Sequence, residues 1–173
     1  MAKFLLKKSY QLKDLKEIPF NDLWGNKGVF TTMRLVGNKN KIVLKNNHLN
    51  NLISSTKKYK IRKKNLKKIL LSLINKSLKK NYNNHLFRIA LNKKTISISI
   101  RKRLSPKKEF KLKVFNYKRI EPKYKNLFYK QILKRLVKYD TTKYDLALCY
   151  KDKILETGTS NLLLVKNGKF FSP

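Results

Sequence analysis

The chain has 173 residues, enough to bury a core of its own, and this length suits one domain or two small ones. Forty-four Lys and Arg against nine Asp and Glu give a net charge of +35, while a single cysteine, Cys149, excludes a disulfide framework. The two histidines, His48 and His85, stand in no metal-ligand spacing, and no apolar run approaches the ~20 residues that span a bilayer, so neither a metal nor a membrane partner is expected.

A charge this high makes nucleic acid a natural partner, at least through nonspecific attraction. The excess is nearly all lysine and comes with abundant Asn, Ile, Leu, Tyr and Phe, which an AT-rich genome writes into any protein. The lysines are spread along the chain, so a dedicated phosphate-binding surface and a compositional bias both remain open. No apolar stretch with a small-residue cleavage site follows the basic N-terminus, and a cytoplasmic location is expected.

In chain order, Phe4-Leu5-Leu6 suggests a first strand, and Trp24-Gly25-Asn26-Lys27-Gly28 a loop. Val29 to Val36 is rich in β-branched and apolar residues and reads as a strand, with Lys41 to Leu44 as its hairpin partner across Gly37-Asn38-Lys39-Asn40. Leu49, Leu52, Ile53 and Thr56 recur at helical spacing. A second helix follows, with Leu66, Ile69, Leu70, Leu73, Ile74 and Leu78 on one face and lysines on the other. Leu86 to Leu91 and Thr95 to Ile100 are strands, and in the second Ile96, Ile98 and Ile100 alternate with Ser97 and Ser99 as in a half-buried strand. Phe110 to Tyr117 is a further strand. Glu121-Pro122 marks a domain boundary, giving an N-terminal α/β domain over 1–120 and a second domain over 121–173. The spacing then predicts a helix over 125–138 and strands over 145–150, 153–155, 161–166 and 169–171.

One stretch reads as a site. Glu156, among few acids in so basic a chain, precedes Thr157-Gly158-Thr159-Ser160-Asn161 and then the apolar run Leu162-Leu163-Leu164-Val165, expected to be a buried strand. Gly158 is expected to adopt backbone angles closed to other residues, while Thr159, Ser160 and Asn161 bring hydroxyl and amide groups beside the carboxylate. From local chemistry alone an ordinary polar turn fits equally well.

Glu-x-x-x-Ser-Asn-Leu before a strand, then Asn167-Gly168 and Phe171-Ser172-Pro173, resembles the signature of the class IV pyridoxal-phosphate aminotransferases. That family contains branched-chain and D-amino-acid aminotransferases and aminodeoxychorismate lyase. Gly28-Val29-Phe30-Thr31-Thr32 resembles its Gly-x-Phe-(Glu/Thr)-Thr strand, in the Thr-Thr form closer to the lyase. His48-Leu49-Asn50-Asn51-Leu52 resembles the following His-Leu-x-Arg-Leu motif, and Phe87-Arg88-Ile89 stands on the strand leading to an Arg-Gly turn. Lys125-Asn126-Leu127-Phe128 and Asp145-Leu146-Ala147-Leu148 occupy the places of the Lys-x-Leu-Asn and Asp-Glu-Ala-Leu motifs.

The resemblance implies a two-domain α/β fold of the D-amino-acid-aminotransferase type (fold type IV), an enzyme using pyridoxal 5'-phosphate, and a homodimer. Its substrate would be a small amino acid or an aminodeoxychorismate-like molecule. Pyridoxal chemistry needs a lysine to hold the cofactor aldehyde and an acid beside the pyridine nitrogen. Composition alone cannot select among so many lysines; the resemblance points to Lys125, with Lys123 in reserve, and to Glu156 as the acid. It further implies cofactor contacts from Thr159, Ser160, Asn161 and Asn51, and substrate contacts from Thr31 and Arg88. Three departures accompany it. Asn51 replaces the arginine that binds cofactor phosphate, Asn92-Lys93-Lys94 replaces the Arg-Gly turn, and family members continue beyond Pro173, so an incomplete C-terminal domain is expected. The activity implied is release of pyruvate to leave 4-aminobenzoate, a folate precursor, or transfer of an amino group to a 2-oxo acid. A basic nucleic-acid or ribosome-associated protein and a non-catalytic family member are the alternatives.

Overall fold

The structure, a computed structural model, describes residues 3–172, so that Pro173 of the Phe-Ser-Pro motif lies outside it. The elements are β1 (Phe4–Gln11), β2 (Glu17–Ile18), β3 (Gly28–Val36), β4 (Lys41–Ile42), α1 (Lys45–Lys58), α2 (Leu66–Ser77), β5 (His85–Asn92), β6 (Thr95–Lys102), β7 (Lys111–Asn116), α3 (Lys130–Leu136), β8 (Tyr144–Tyr150), β9 (Lys153–Thr157), β10 (Leu164–Lys166) and β11 (Lys169–Phe171). They form two units. The first comprises residues 1–103 with Glu121–Phe128, and the second Leu104–Ile120 with residues 129–173.

The first unit is an antiparallel six-stranded sheet in the order β2-β1-β6-β5-β3-β4. Alternation sorts its side chains: Val29, Met33 and Leu35 of β3, Phe87, Ile89 and Leu91 of β5, and Ile96, Ile98 and Ile100 of β6 join one buried cluster with Leu49 and Leu52 of α1 and Leu70, Leu73 and Ile74 of α2. Helix α1 carries four asparagines, each about 0.7 kcal/mol worse than alanine at most. Its two buried leucines each contribute about 1.5–3 kcal/mol, so packing and not propensity holds it in place.

The serines of β6 correct the expectation of a half-exposed strand. Ser97 and Ser99 are as buried as the isoleucines. β6 is a central strand, and the chain around Asn21 lies over its second face: Ser9 Oγ and Ser97 Oγ bond each other at 2.8 Å, Ser97 also donates to the Asn21 carbonyl, and Asn21 N–H donates to Ser9 Oγ at 3.0 Å. The hydroxyls of Ser9 and Ser97 are buried there because each has a partner.

In the second unit β7 runs parallel and β9 antiparallel to the central β8, and α3 packs Ile132 and Leu136 on Leu146 and Leu148. The helix expected over 125–138 is confined to Lys130–Leu136. Upstream, tertiary pairing overrides helical periodicity: Leu127 N–H donates to the Gly28 carbonyl at 3.0 Å and Phe30 N–H to the Lys125 carbonyl at 2.8 Å, so this stretch lies along β3. The expected buried strand over 161–166 is the short β10 of a two-stranded hairpin with β11, and Leu163, Leu164 and Val165 are exposed.

Gly28 shows how close this pairing is. A Cβ there would stand 2.2 Å from the Leu91 carbonyl oxygen and 2.8 Å from Leu127 Cδ1. Because the first neighbour is backbone in the adjacent strand, Gly28→Ala is expected to cost about 1–3 kcal/mol, read as a lower urea midpoint.

Candidate functional site

Lys125 lies on a segment whose neighbours are anchored on both sides. Leu127 is fully buried, and Tyr124 and Phe128 pack on the core of the first unit beside Tyr59. Tyr59 Oη donates to Glu121 Oε2 at 2.5 Å, and Lys58 Nζ pairs with Glu121 Oε1 at 3.1 Å. Burial, with the Glu121 contact second, raises the Tyr59 phenol above its ordinary range, so the hydroxyl keeps its proton and donates. Asn126, without exposed surface, donates from Nδ2 to the Glu121 carbonyl at 3.0 Å. Between these anchors the Lys125 side chain is exposed, and no described carboxylate forms an ion pair with it. Lys123, two residues upstream, is also exposed.

Thr31 and His48 meet on the helix-covered face of the sheet, where Thr31 Oγ1 and His48 Nδ1 share a hydrogen bond of 2.9 Å. Burial, followed by the nearby Lys125 charge, lowers the His48 pKa from its ordinary 6.5. Asn51 stands exposed on α1, where its carbonyl accepts the Ser55 hydroxyl at 2.8 Å. Arg88 lies on the opposite face from Thr31, since it pairs with Thr32 in the β3–β5 register. Buried at 8% exposure, its guanidinium stacks on Trp24 at 4.2 Å and donates from Nη2 to the Asp22 carbonyl at 2.7 Å. Burial pushes its pKa down to about 10. The two residues placed at the substrate by resemblance are therefore separated by the thickness of the sheet.

In the second unit the organising acid is one that local sequence reading passed over. Asp145 is 1% exposed, and its Oδ2 accepts four hydrogen bonds: from the backbone N–H groups of Thr159 and Ser160 at 2.9 and 2.7 Å, and from their hydroxyls at 3.1 and 2.6 Å. Its Oδ1 accepts the Leu146 N–H at 2.8 Å. A buried carboxylate is tolerable because it is so fully bonded. The signal was available, since an aspartate opening the apolar run Leu146-Ala147-Leu148-Cys149 demands partners.

Gly158 sits where the turn crosses this acid. Its φ lies outside the left-handed region, so the requirement is space and not the backbone freedom expected of it: a Cβ would stand 2.7 Å from Asp145 Oδ1. Glu156 is half-buried, and its Oε1 accepts from Arg119 Nε at 2.8 Å, while Arg119 lies over the Tyr129 ring at 5.3 Å. Glu156 Oε2 accepts no hydrogen bond from a described residue. Arg119 had no signal in the sequence beyond being an arginine among lysines. Asn161 is exposed in the segment leading to β10.

The sequence profile of the class IV amino-transferases matches residues 28–173. Among solved structures, the branched-chain aminotransferase of the archaeon Thermoproteus uzoniensis, determined with norvaline, aligns over the whole of this chain and 68% of its own, with a TM-score of 0.71 and 15% identity. An aminotransferase from Brucella abortus, bound to the cofactor PLP, aligns over the whole of this chain and 71% of its own, at 0.65 and 16%. At such identities the likeness establishes the fold alone, and it is the α/β fold expected from the motifs. No curated protein matches the chain.

Two measurements test this geometry. Asp145→Ala leaves four donors of the Thr159-Ser160 turn without their acceptor and is expected to destabilise the second unit by about 3 kcal/mol, read by urea unfolding. Because the His48 pKa is lowered in the folded state, the unfolded chain takes up that proton first. Its contribution is therefore complete above about pH 6.5 and declines as the pH falls below it, and His48→Gln should flatten this acid limb of the stability profile.

Proposed function

Because the chain belongs to the class IV amino-transferase family, we propose that it is a pyridoxal-phosphate-dependent enzyme of small-molecule amino acid chemistry with Lys125 as its catalytic lysine. The observation that carries this reading is the exposed Lys125 amine, free of any described carboxylate, on a segment anchored at Glu121, Asn126 and Leu127. An amine in an ion pair would have to break it before reacting; this one does not.

The family depends on pyridoxal phosphate, and each of the two units carries one group of the kind it would use. Lys125 would offer the amine for the aldehyde, and Glu156 a carboxylate oxygen, Oε2, that accepts no hydrogen bond from a described residue, for the pyridine N–H. When bound, the cofactor supplies an electron sink for the bond broken at the substrate α-carbon. Lys125 Nζ would take the proton at that carbon and return it, as general base and then acid. Glu156, oriented by Arg119, would hold the proton at the pyridine nitrogen. Thr159, Ser160, Asn161 and Asn51 would supply the polar contacts at the phosphate, with an amide in the arginine's place. Thr31 would act through His48, and Arg88 would take a substrate carboxylate.

Within this chemistry the Thr31-Thr32 pair supports an aminodeoxychorismate lyase-like outcome, pyruvate leaving 4-aminobenzoate behind; amino transfer to a 2-oxo acid is the other. A homodimer in the cytoplasm is part of the same proposal. No described helix is long and apolar enough to cross a membrane.

Incubation with pyridoxal phosphate, reduction with borohydride and peptide mapping test the assignment. One cofactor per chain, fixed at Lys125 and lost in Lys125→Ala, is the expected result. Label scattered over many lysines, or moved to Lys123, would remove Lys125 from the role.

A further inference from the structure

The helix layer of the first unit is set apart by where the carboxylates are not. All nine acids of the chain lie outside residues 23–108, so α1, α2 and the strands β3 to β6 carry none. A bias toward lysine multiplies cations everywhere, but it does not clear the anions from half of a chain. Of the lysines on the two helices only Lys58 forms a described ion pair, with Glu121.

Along α2 these cations acquire a shape. Its buried residues Leu66, Leu70, Leu73, Ile74 and Ser77 fix the side turned to the sheet. With 3.6 residues per turn, the opposite side is a crest of Lys68, Ser72 and Asn75, at i, i+4 and i+7, and all three are exposed. A groove runs along each flank of that crest. One, of about 570 Å³, lies between α2 and β1 and is lined by Lys8, Lys68, Lys76 and Lys79, with Glu17 and Ser72. The other, of about 570 Å³, lies between α2 and the β3–β4 hairpin, and Lys39, Lys41 and Lys45 line it without a carboxylate. Asn40 fixes the hairpin to the end of α2, since its Nδ2 donates to the Leu78 and Lys80 carbonyls at 3.2 and 2.6 Å. Glu17 is the one acid of the two grooves, and Lys8 holds it at 3.0 Å. The six other lysines pair with no described carboxylate.

Two rows of cations on either side of one helix complement two rows of phosphates on either side of a groove. A helix with its side chains is about 10–12 Å across, and the major groove of B-form DNA is about 12 Å wide. A flat anionic membrane would leave the flanking grooves empty, and the crest has no apolar residue to enter it. Lysine is a compact point charge that holds phosphate without reading a base, and no arginine lines either groove. We propose that α2 docks in the major groove of double-stranded DNA without sequence preference, its flanking lysines on the two phosphate rows. This is a binding function separate from the pyridoxal-phosphate reading, and it uses none of the residues assigned to cofactor or substrate.

Fluorescence anisotropy of the full chain with a labelled DNA duplex two helical turns long tests the proposal. An RNA duplex of equal length and charge is the control for charge alone, because its deep, narrow major groove does not admit a helix. The DNA is expected to bind about tenfold more tightly than the RNA. Changing Lys68→Gln, Lys76→Gln and Lys79→Gln together, which leaves helix propensity nearly unaltered, should weaken DNA binding. It should also make the fall of log K with log salt shallower by about 2.7, at about 0.9 for each lost phosphate contact. The matched triple Lys130→Gln, Lys134→Gln and Lys138→Gln, at exposed positions on and just after α3, should change neither quantity. Equal affinity for the two duplexes, or equal losses from the two triple variants, would overturn the proposal and assign the binding to the diffuse charge of the chain.

Discussion

Strand β3 is held on both edges, by β5 along its length and by the Lys125–Leu127 segment at its start, and this double pairing decides where every candidate residue of the first unit points. One edge fixes the alternation that sends Val29, Thr31, Met33 and Leu35 toward the helices and Phe30, Thr32 and Arg34 away from them. The other brings Lys125 beside Phe30. Because the side-chain period in a strand is two, a slip of one residue would exchange the two faces and bury the polar set against α1 and α2. The close approach at Gly28, where no Cβ fits, guards that register.

The second unit relies on a different constraint. Its turn from Gly158 to Ser160 is wrapped around one carboxylate, that of Asp145, and Glu156 is presented from the strand just before it with Arg119 alongside. Both acids sit in a chain that has only nine, and both are bonded to groups that hold them in one orientation. The electrostatics follow from scarcity: with so few anions available, the buried carboxylate of Asp145 is surrounded by donors. The described ion pairs involve Glu17, Glu121 and Glu156. Arg88 lies outside them and rests instead against the Trp24 ring and the Asp22 carbonyl.

Much of this was legible before any coordinates. Apolar periodicity located both long helices and the central strands, because burial of one stripe or one face is the dominant stabilising term and leaves its period in the sequence. The family resemblance was likewise readable from its motif series, and the family profile and the fold agree with the family it points to. Where the reading failed, a nonlocal contact was responsible. The helical spacing after Lys125 was genuine, but its first residues pair with β3; Ser97 looked solvent-facing until the chain around Asn21 closed over it; Gly158 suggested unusual backbone angles, where the need is for room beside Asp145.

By itself, then, the sequence determined the elements and their amphipathic faces, since these depend on residues a few positions apart. Only the tertiary structure decided which polar groups meet. Thr31 with His48, Tyr59 with Glu121, Asp145 with Ser160 and Arg119 with Glu156 are partnerships across 15 to 62 residues of chain, set by strand register and packing. Hydrogen bonds and ion pairs act over a few ångströms and carry no period, so a linear pattern cannot announce them.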